Sequence, residues 1–502
     1  MTYLLAHDLG TTGNKATLFD AEGRLIASVL SEYGTFYPAE GAVEQNAGDW
    51  WRAVCDSSLR LMEKSGVPAG EVVAVSFSGQ MMGCLPVDKD GEPLGNALIW
   101  ADTRAKAQEQ EMLRRVPLSR GYQITGHRLS ASYSAAKLLW IRDHEPERFR
   151  RIHKMLNAKD YMLYRMTGRF VTDYSDASST NLFDLRRKDW SDELLSAFEL
   201  PRALMPEAVP SATVVGRLLP EAAQLMGLLP GTPVVAGGGD GSCACVGAGG
   251  VQPGDAYCVL GSSSWISTVA PEPLMDPDMR TFNWVHLDPN LYTPCGTMQA
   301  AGYSYQWFCK RLLGCSDYEE MNALAAQSPP GANGLLYLPY LLGERSPRWD
   351  LSVRGAFVGL GASTTLGDMA RAVMEGVGFN LGVIYRILQG QLPMQKLTVI
   401  GGGAKADAWL HILAEQWRQP LTTVSAPREA TSMGAAVCGG VGVGLFEDFS
   451  AVRRFCRETD TIVPSGENAA VYEQMAAAFE TAYQGLRSAY AELEKVRAAI
   501  RR

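Results

Sequence analysis

Tyr3-Leu-Leu-Ala-His-Asp-Leu-Gly-Thr-Thr-Gly-Asn-Lys-Ala-Thr-Leu18 reads as an apolar strand, a polar Gly/Thr turn from Asp8 to Asn14, and a second strand running on from Ala16 to Phe19. A further turn at Asp20-Ala-Glu-Gly23 leads into Arg24-Leu-Ile-Ala-Ser-Val29, so antiparallel strands bracket a Gly-Thr-Thr-Gly tip. The design returns at Asp255–Ser267, where a Gly261-Ser-Ser-Ser264 tip again separates two strands. Working outward, helical spacing runs from Asp49 to Lys64, with Trp50, Val54, Leu59 and Leu61 assigned to one stripe, and a strand follows at Val72–Phe77. Gly231–Asp240 is a strand entering a glycine turn. Strands alternating with long helices predict an α/β protein. The repeated hairpin predicts two similarly built halves facing a cleft, residues 1–248 and 249–502, with the boundary near Gly247–Pro253 and a terminal helix over Ala469–Arg502.

Composition narrows the function classes. The 502 residues, 46% hydrophobic and 20% charged, are enough for well-buried cores. A net charge of −8 with acidic residues spread along the chain argues against nucleic acid or an anionic membrane as partner. The ten cysteines form no Cys-x-x-Cys pair and no zinc spacing with histidine, which predicts reduced, mostly buried thiols. The first residues carry no basic run ahead of an apolar core, and apolar runs such as Pro233–Gly237 fall far short of the ~20 residues a bilayer needs. A soluble, cytoplasmic protein is expected.

The small-residue tips suggest phosphate chemistry. Around Asp8, the backbone of Gly10–Gly13, the hydroxyls of Thr11 and Thr12, and Lys15 could approach phosphate oxygens, although such a turn is also an ordinary hairpin. Gly261, Ser262 and Ser263 offer an opposing tip, and two such loops can clamp a triphosphate while Asp8 holds magnesium through water. Leu397-Thr-Val-Ile-Gly-Gly-Gly-Ala-Lys-Ala-Asp-Ala-Trp-Leu410 is a strand, a glycine turn and a helix, fit for a nucleotide edge or for a tight connection alone. It matches neither the Walker loop nor the dinucleotide fingerprint. Asp240, at a glycine-flanked strand end, is the candidate general base, with a helix cap as its other reading. Ser78-Gly-Gln-Met-Met-Gly83 and Trp100-Ala-Asp-Thr-Arg104 offer the planar polar groups and aromatic wall of a sugar site in Gln80, Met81, Met82, Trp100, Asp102 and Arg104. Against that, Asp102 and Arg104 could simply pair, and the methionines could fill core.

Taken in order, these segments resemble the FGGY carbohydrate kinases over nearly the whole chain. Ser132-Tyr-Ser-Ala-Ala-Lys-Leu-Leu-Trp-Ile-Arg-Asp-His144 is similar to the family's first signature, and Leu338-Pro-Tyr-Leu-Leu-Gly-Glu-Arg-Ser-Pro347, Gly355–Gly359 and Ala370–Gly378 are similar to later blocks. The resemblance implies two actin-like, ribonuclease-H-like domains closing over ATP, Mg2+ and a sugar or polyol, in a protein that could be a homodimer. It implies Asp8 near the metal, Thr11 and Thr12 near the transferred phosphate, Asp240 as base, and Gly261–Ser263 as the second phosphate loop. Gly402, Gly403 and Asp407 would then border adenosine, with Gly302 and Gln306 on the same side. Glu344 and Arg345 are read as scaffold. Within the family, Gly79-Gln-Met-Met-Gly83, Ala135–Trp140, Ala158-Lys-Asp-Tyr161 and Thr172–Ser178 look most like the xylulose kinases, which implies D-xylulose as acceptor. L-xylulose, ribulose, erythritol, glycerol and gluconate are the alternatives, and a non-kinase actin-like ATPase is the reading from another class. Met82 stands where well-known xylulose kinases have His, and Gly241 where they have Asn. His127 could supply a replacement donor, but is read as structural.

Overall fold

Tyr3–Leu9 is buried almost throughout, as befits the central strand of a sheet covered on both faces. In the computed structural model, which describes residues 1–315 and 317–500, this strand pairs antiparallel with Gly13–Asp20 and parallel with Val72–Gly79. Leu25–Glu32 extends the hairpin side. Pro233–Val235 and then Val214–Arg217 extend the other. The second sheet repeats the plan around Asp255–Leu260, antiparallel to Ser264–Thr268 on one side and parallel to Lys396–Ile400 on the other. Tyr292–Met298 and Phe282–Val285 continue one flank, Leu421–Val424 and Glu458–Ile462 the opposite one. Both sheets are seven-stranded and mixed, the two-halved α/β architecture the repeated hairpins predict.

The helix expected over Asp49–Lys64 spans Ala47–Ser65, opened by the Asn46 side chain accepting from the Gly48 amide and closed by left-handed Gly66. Trp50, Val54 and Leu61 lie on its buried face, whereas Leu59 is 41% exposed. At 100° per residue Leu59 falls on the far side from Trp50, so its place in the stripe is corrected. A helical insertion within residues 106–204 has its own core around Met112, Leu138, Leu139, Phe183 and Phe198. The terminal helix is Ala469–Ile500, and Phe479 meets Phe379 of the long Leu366–Gln391 helix with ring centroids 5.7 Å apart. Arg501 and Arg502, the last residues expected in it, lie outside the described residues.

Between the sheets run two helices, Asp240–Gly247 and Ala430–Gly442, in one core with Leu4, Ala74, Tyr257 and Ile400. They touch backbone to backbone: a Cβ on Gly247 would lie 1.7 Å from the Ala430 carbonyl oxygen, and one on Gly434 would lie 2.0 Å from that of Cys243. All ten cysteines are free thiols and eight are buried. Among the described residues no helix is long and apolar enough to cross a membrane.

Candidate active site

Glycine carries the chain to the floor of the site. Gly238 and Gly239 pair beside Ser78 and Gly79 at the carboxyl end of Val72–Gly79, so Asp240 starts its helix at the strand ends, where open α/β sheets bind ligands. A Cβ on Gly239 would come within 2.5 Å of Met81 Sδ, and one on Gly241 within 2.4 Å of the Trp284 ring. Both hairpin tips converge here. Thr11 from the first and Ser263 and Ser264 from the second line a cavity of about 210 Å3 together with Asp240. That is below the about 300–1,000 Å3 of ordinary ligand pockets, a size for a monosaccharide and not for a whole nucleotide. A larger cavity of about 790 Å3, bordered by residues 248–256 and 453–458, shares no lining residue with it.

Burial is the main reason the Asp240 carboxyl is pushed up to about 7; the negative charge of Asp8 adds to the shift, and the Gly241 amide opposes it. A base poised near neutrality suits proton abstraction from an alcohol. Burial also raises Asp8, while Lys15, with Nζ 3.8 Å from Asp8 Oδ2, pulls it back. Lys15 reaches across the molecule to donate to the Arg428 carbonyl at 2.8 Å. Thr12 is exposed beside Thr11, and Trp100 Nε1 donates to Thr11 Oγ1 at 2.9 Å, joining the aromatic wall to the first tip. Met81 and Met82 line the cavity. Met82 has φ 62°, its amide donates to Ser179 Oγ at 3.1 Å, and its carbonyl accepts from buried Lys137 at 2.7 Å.

Three residues expected to face the sugar are turned elsewhere. Gln80 is buried and donates to Gln45 Oε1 at 2.8 Å, which also accepts from Trp50. Asp102, fully buried, takes the Val43 amide at 2.7 Å and the Arg104 guanidinium at 2.8 Å. Arg104 also pairs with Glu44 at 2.7 Å and stacks over Trp140 at 4.9 Å. A carboxylate withdrawn from water must be paired, and here that requirement consumes both charges, so they brace the wall that carries Trp100. His127 is buried and kept neutral, its Nδ1 3.0 Å from the Tyr133 hydroxyl and its ring stacked on Phe282, which separates it from the cavity.

Sequence reasoning missed Arg345. The block read as scaffold divides between its two charges. Glu344 is fully buried, accepts the Gln299 and Arg345 amides and the Asn380 side chain at 2.9–3.0 Å, and is pushed by burial up to about 8. Arg345 instead lines the cavity, with Nη2 3.9 Å from Met82 Sδ. Trp265, Phe282 and Trp284 also escaped notice, being apolar strand residues that no motif distinguishes from core.

On the opposite side of the second tip, the Ala301, Gly302 and Tyr303 amides donate to the Ser262, Gly261 and Ser262 carbonyls at 2.9–3.0 Å. Gly302 must be small, since a Cβ would lie 2.6 Å from the Gly261 oxygen. The Gly401–Gly403 turn packs against Leu260, and the space beside Gly402 is open. Tyr305 and Trp409, 5.5 Å apart, bring the short Gly302–Gln306 helix beside Asp407–Trp417, with Gln306 and Asp407 exposed.

Family models for the FGGY carbohydrate kinases match residues 3–247 with the N-terminal domain and 256–443 with the C-terminal domain. The chain is 33% identical over 485 residues to the xylulose kinase of Bacillus subtilis, covering 96% of this chain and 97% of that one. The solved xylulose kinase of Lactobacillus acidophilus superposes with a TM-score of 0.93 at 27% identity, covering 98% and 100% of the two chains. The gluconate kinase of the same organism superposes equally well, at 27% identity over 98% and 99%. With both domain models matched in order, and relatives aligned end to end, the chain belongs to the FGGY family of carbohydrate kinases and is an ATP-using sugar kinase.

Proposed function

We propose that the acceptor is a ketopentose, D-xylulose, converted to xylulose 5-phosphate with Asp240 as general base. The observation that carries this reading is the Asp240 carboxyl, drawn up to about 7 at the floor of a sugar-sized cavity that both hairpin tips border. Asp240 accepts the proton of the attacking hydroxyl, the oxygen forms a bond to the γ-phosphorus, and the bond to the bridging oxygen breaks, releasing ADP. Thr11, Thr12, Lys15 and the Gly261–Ser263 tip hold the phosphates. Gly302, Gln306, Gly402, Gly403 and Asp407 border adenosine. Residues 1–248 carry the base and the Met81–Trp100 wall of the sugar site, and 249–502 carry the nucleotide side and close the sugar cavity with Trp265, Trp284 and Arg345, in a cytoplasmic enzyme. Met81, Met82 and Trp100 wall the sugar, and Gln80, Asp102 and Arg104 stiffen that wall.

Two half-buried carboxylates, Asp8 and Asp240, the charge of the first raising the second, fit a divalent cation held chiefly by phosphates and water. Among the described residues no group of three His, Cys, Asp or Glu side chains forms an all-protein metal cage. Asp8 would face Mg2+, which supplies neutralisation of phosphate charge when bound.

The test is ATP-dependent phosphorylation of D-xylulose, L-xylulose, D- and L-ribulose, glycerol, erythritol and gluconate. D-Xylulose should give the highest kcat/KM, and a tenfold preference for another acceptor overturns the assignment. Gluconate is the second reading, because the Arg345 guanidinium lines the cavity, where it could meet a substrate carboxylate.

A further inference from the structure

Lys159 is fully buried, and its ammonium sits 2.7 Å from Asp160 Oδ1, 2.9 Å from Asp173 Oδ1 and 3.3 Å from Asp176 Oδ2, all three carboxylates being buried as well. Burial drives Asp160 and Asp176 upward and the lysine charge pulls them back. Such a cluster is a poor source of stability, because desolvating four charges costs about what their attraction returns. What it can supply is fixed direction, and its outer hydrogen bonds lead to the sugar cavity by two routes. Asp173 Oδ2 accepts the Ser175 hydroxyl, and Ser175 Oγ in turn accepts the Gly239 amide at 2.9 Å, one residue before Asp240. Ser179 Oγ donates to the Asp176 backbone carbonyl at 2.7 Å, with Asp176 Oδ1 at a longer 3.4 Å, and accepts the Met82 amide at 3.1 Å. The lysine stem also packs against Gly79, where a Cβ would lie 2.8 Å from Lys159 Cβ.

We propose that the Lys159–Asp160–Asp173–Asp176 cluster is a positioning device that fixes the backbone on both sides of the sugar cavity, Asp240 through Ser175 and Met82 through Ser179. The inference rests on Asp240 being the base. Neither serine nor any member of the cluster lines the cavity, so none is a catalytic residue in its own right.

The two routes separate kinetically. Ser175→Ala leaves the buried Gly239 amide without its acceptor and loosens Asp240, so kcat should fall ~10-fold with KM for ATP unchanged. Ser179→Ala frees Met82 and should raise KM for sugar ~5-fold with kcat nearly intact. Because Ser175 acts through Asp240, Ser175→Ala should cost nothing further in residual turnover when added to Asp240→Asn. A lowered melting temperature with unchanged kinetics in both serine variants, or full additivity of Ser175→Ala with Asp240→Asn, overturns the proposal. If Ser175→Ala does not fold, an unchanged sugar KM in Ser179→Ala overturns it alone. Near-normal turnover in Asp240→Asn by itself sinks the base assignment instead, so the two failures are told apart.

Discussion

As the proposed base, Asp240 should couple turnover and stability to pH in opposite directions. Its carboxyl moves from an ordinary value of 3.8 to about 7 on folding, a shift of roughly three units, or at most about 4 kcal/mol at 1.36 kcal/mol per unit. The side chain is only partly buried, so solvent screening should make the measured value smaller. For turnover, a carboxylate in the proposed role of base must be ionised. With both substrates below saturation, kcat/KM should therefore climb from pH 5 to a plateau above 7, standing ~10-fold below the plateau at pH 6 and ~100-fold below it at pH 5. For stability the sign reverses. A carboxyl whose folded value is raised favours the folded state most below 3.8, and that contribution is lost as pH rises through 7. Asp240→Asn removes the poorly solvated charge, so at pH 8 without ligands it should melt higher than the parent while transferring almost no phosphate. The assays are direct quantification of sugar phosphate by phosphorus NMR, free of coupling enzymes, and calorimetric melting at pH 5 and 8. A flat kcat/KM between pH 5 and 8, together with a lower melting temperature for Asp240→Asn at pH 8, would refute this account of the carboxyl.

Gly302→Ala drives a Cβ to 2.6 Å from the Gly261 carbonyl oxygen and should displace the second tip, raising KM for ATP ~10-fold at unchanged sugar KM in initial-rate assays. Gly434→Ala collides with the Cys243 backbone at 2.0 Å and should cost about 2–3 kcal/mol in urea unfolding; a loss below 0.5 kcal/mol would mean the helices separate freely. Arg345→Met should abolish gluconate phosphorylation if any is present and alter D-xylulose kinetics far less, read by paired kcat/KM values.

The sites legible in sequence are those whose chemistry is local. Two small-residue tips, each flanked by strands, declare themselves within a dozen residues, and Asp240 follows glycines that only a close approach requires. Arg345 was not legible, because its place beside Met82 is created by folding across 263 positions of separation. Gln80, Asp102 and Arg104 have the residue types of a sugar site, but burial gave them partners first. Ala430–Gly442 shows why pattern alone falls short: small and buried on nearly every side, it has no polar face to reveal that it belongs between the sheets and not on the outside of one.

The glycine contacts between the two inter-sheet helices set a boundary on how this enzyme can be remodelled. Where carbonyl oxygen stands in the place of any side chain, no larger residue fits and no repacking of neighbours makes room. Gly247 and Gly434 are thus closed to the cavity-filling substitutions that ordinarily raise thermal tolerance, and a library that varies them spends its diversity on destabilised protein. Variation aimed at acceptor choice belongs at Met82 and Arg345, whose side chains meet at 3.9 Å on the wall of the cavity.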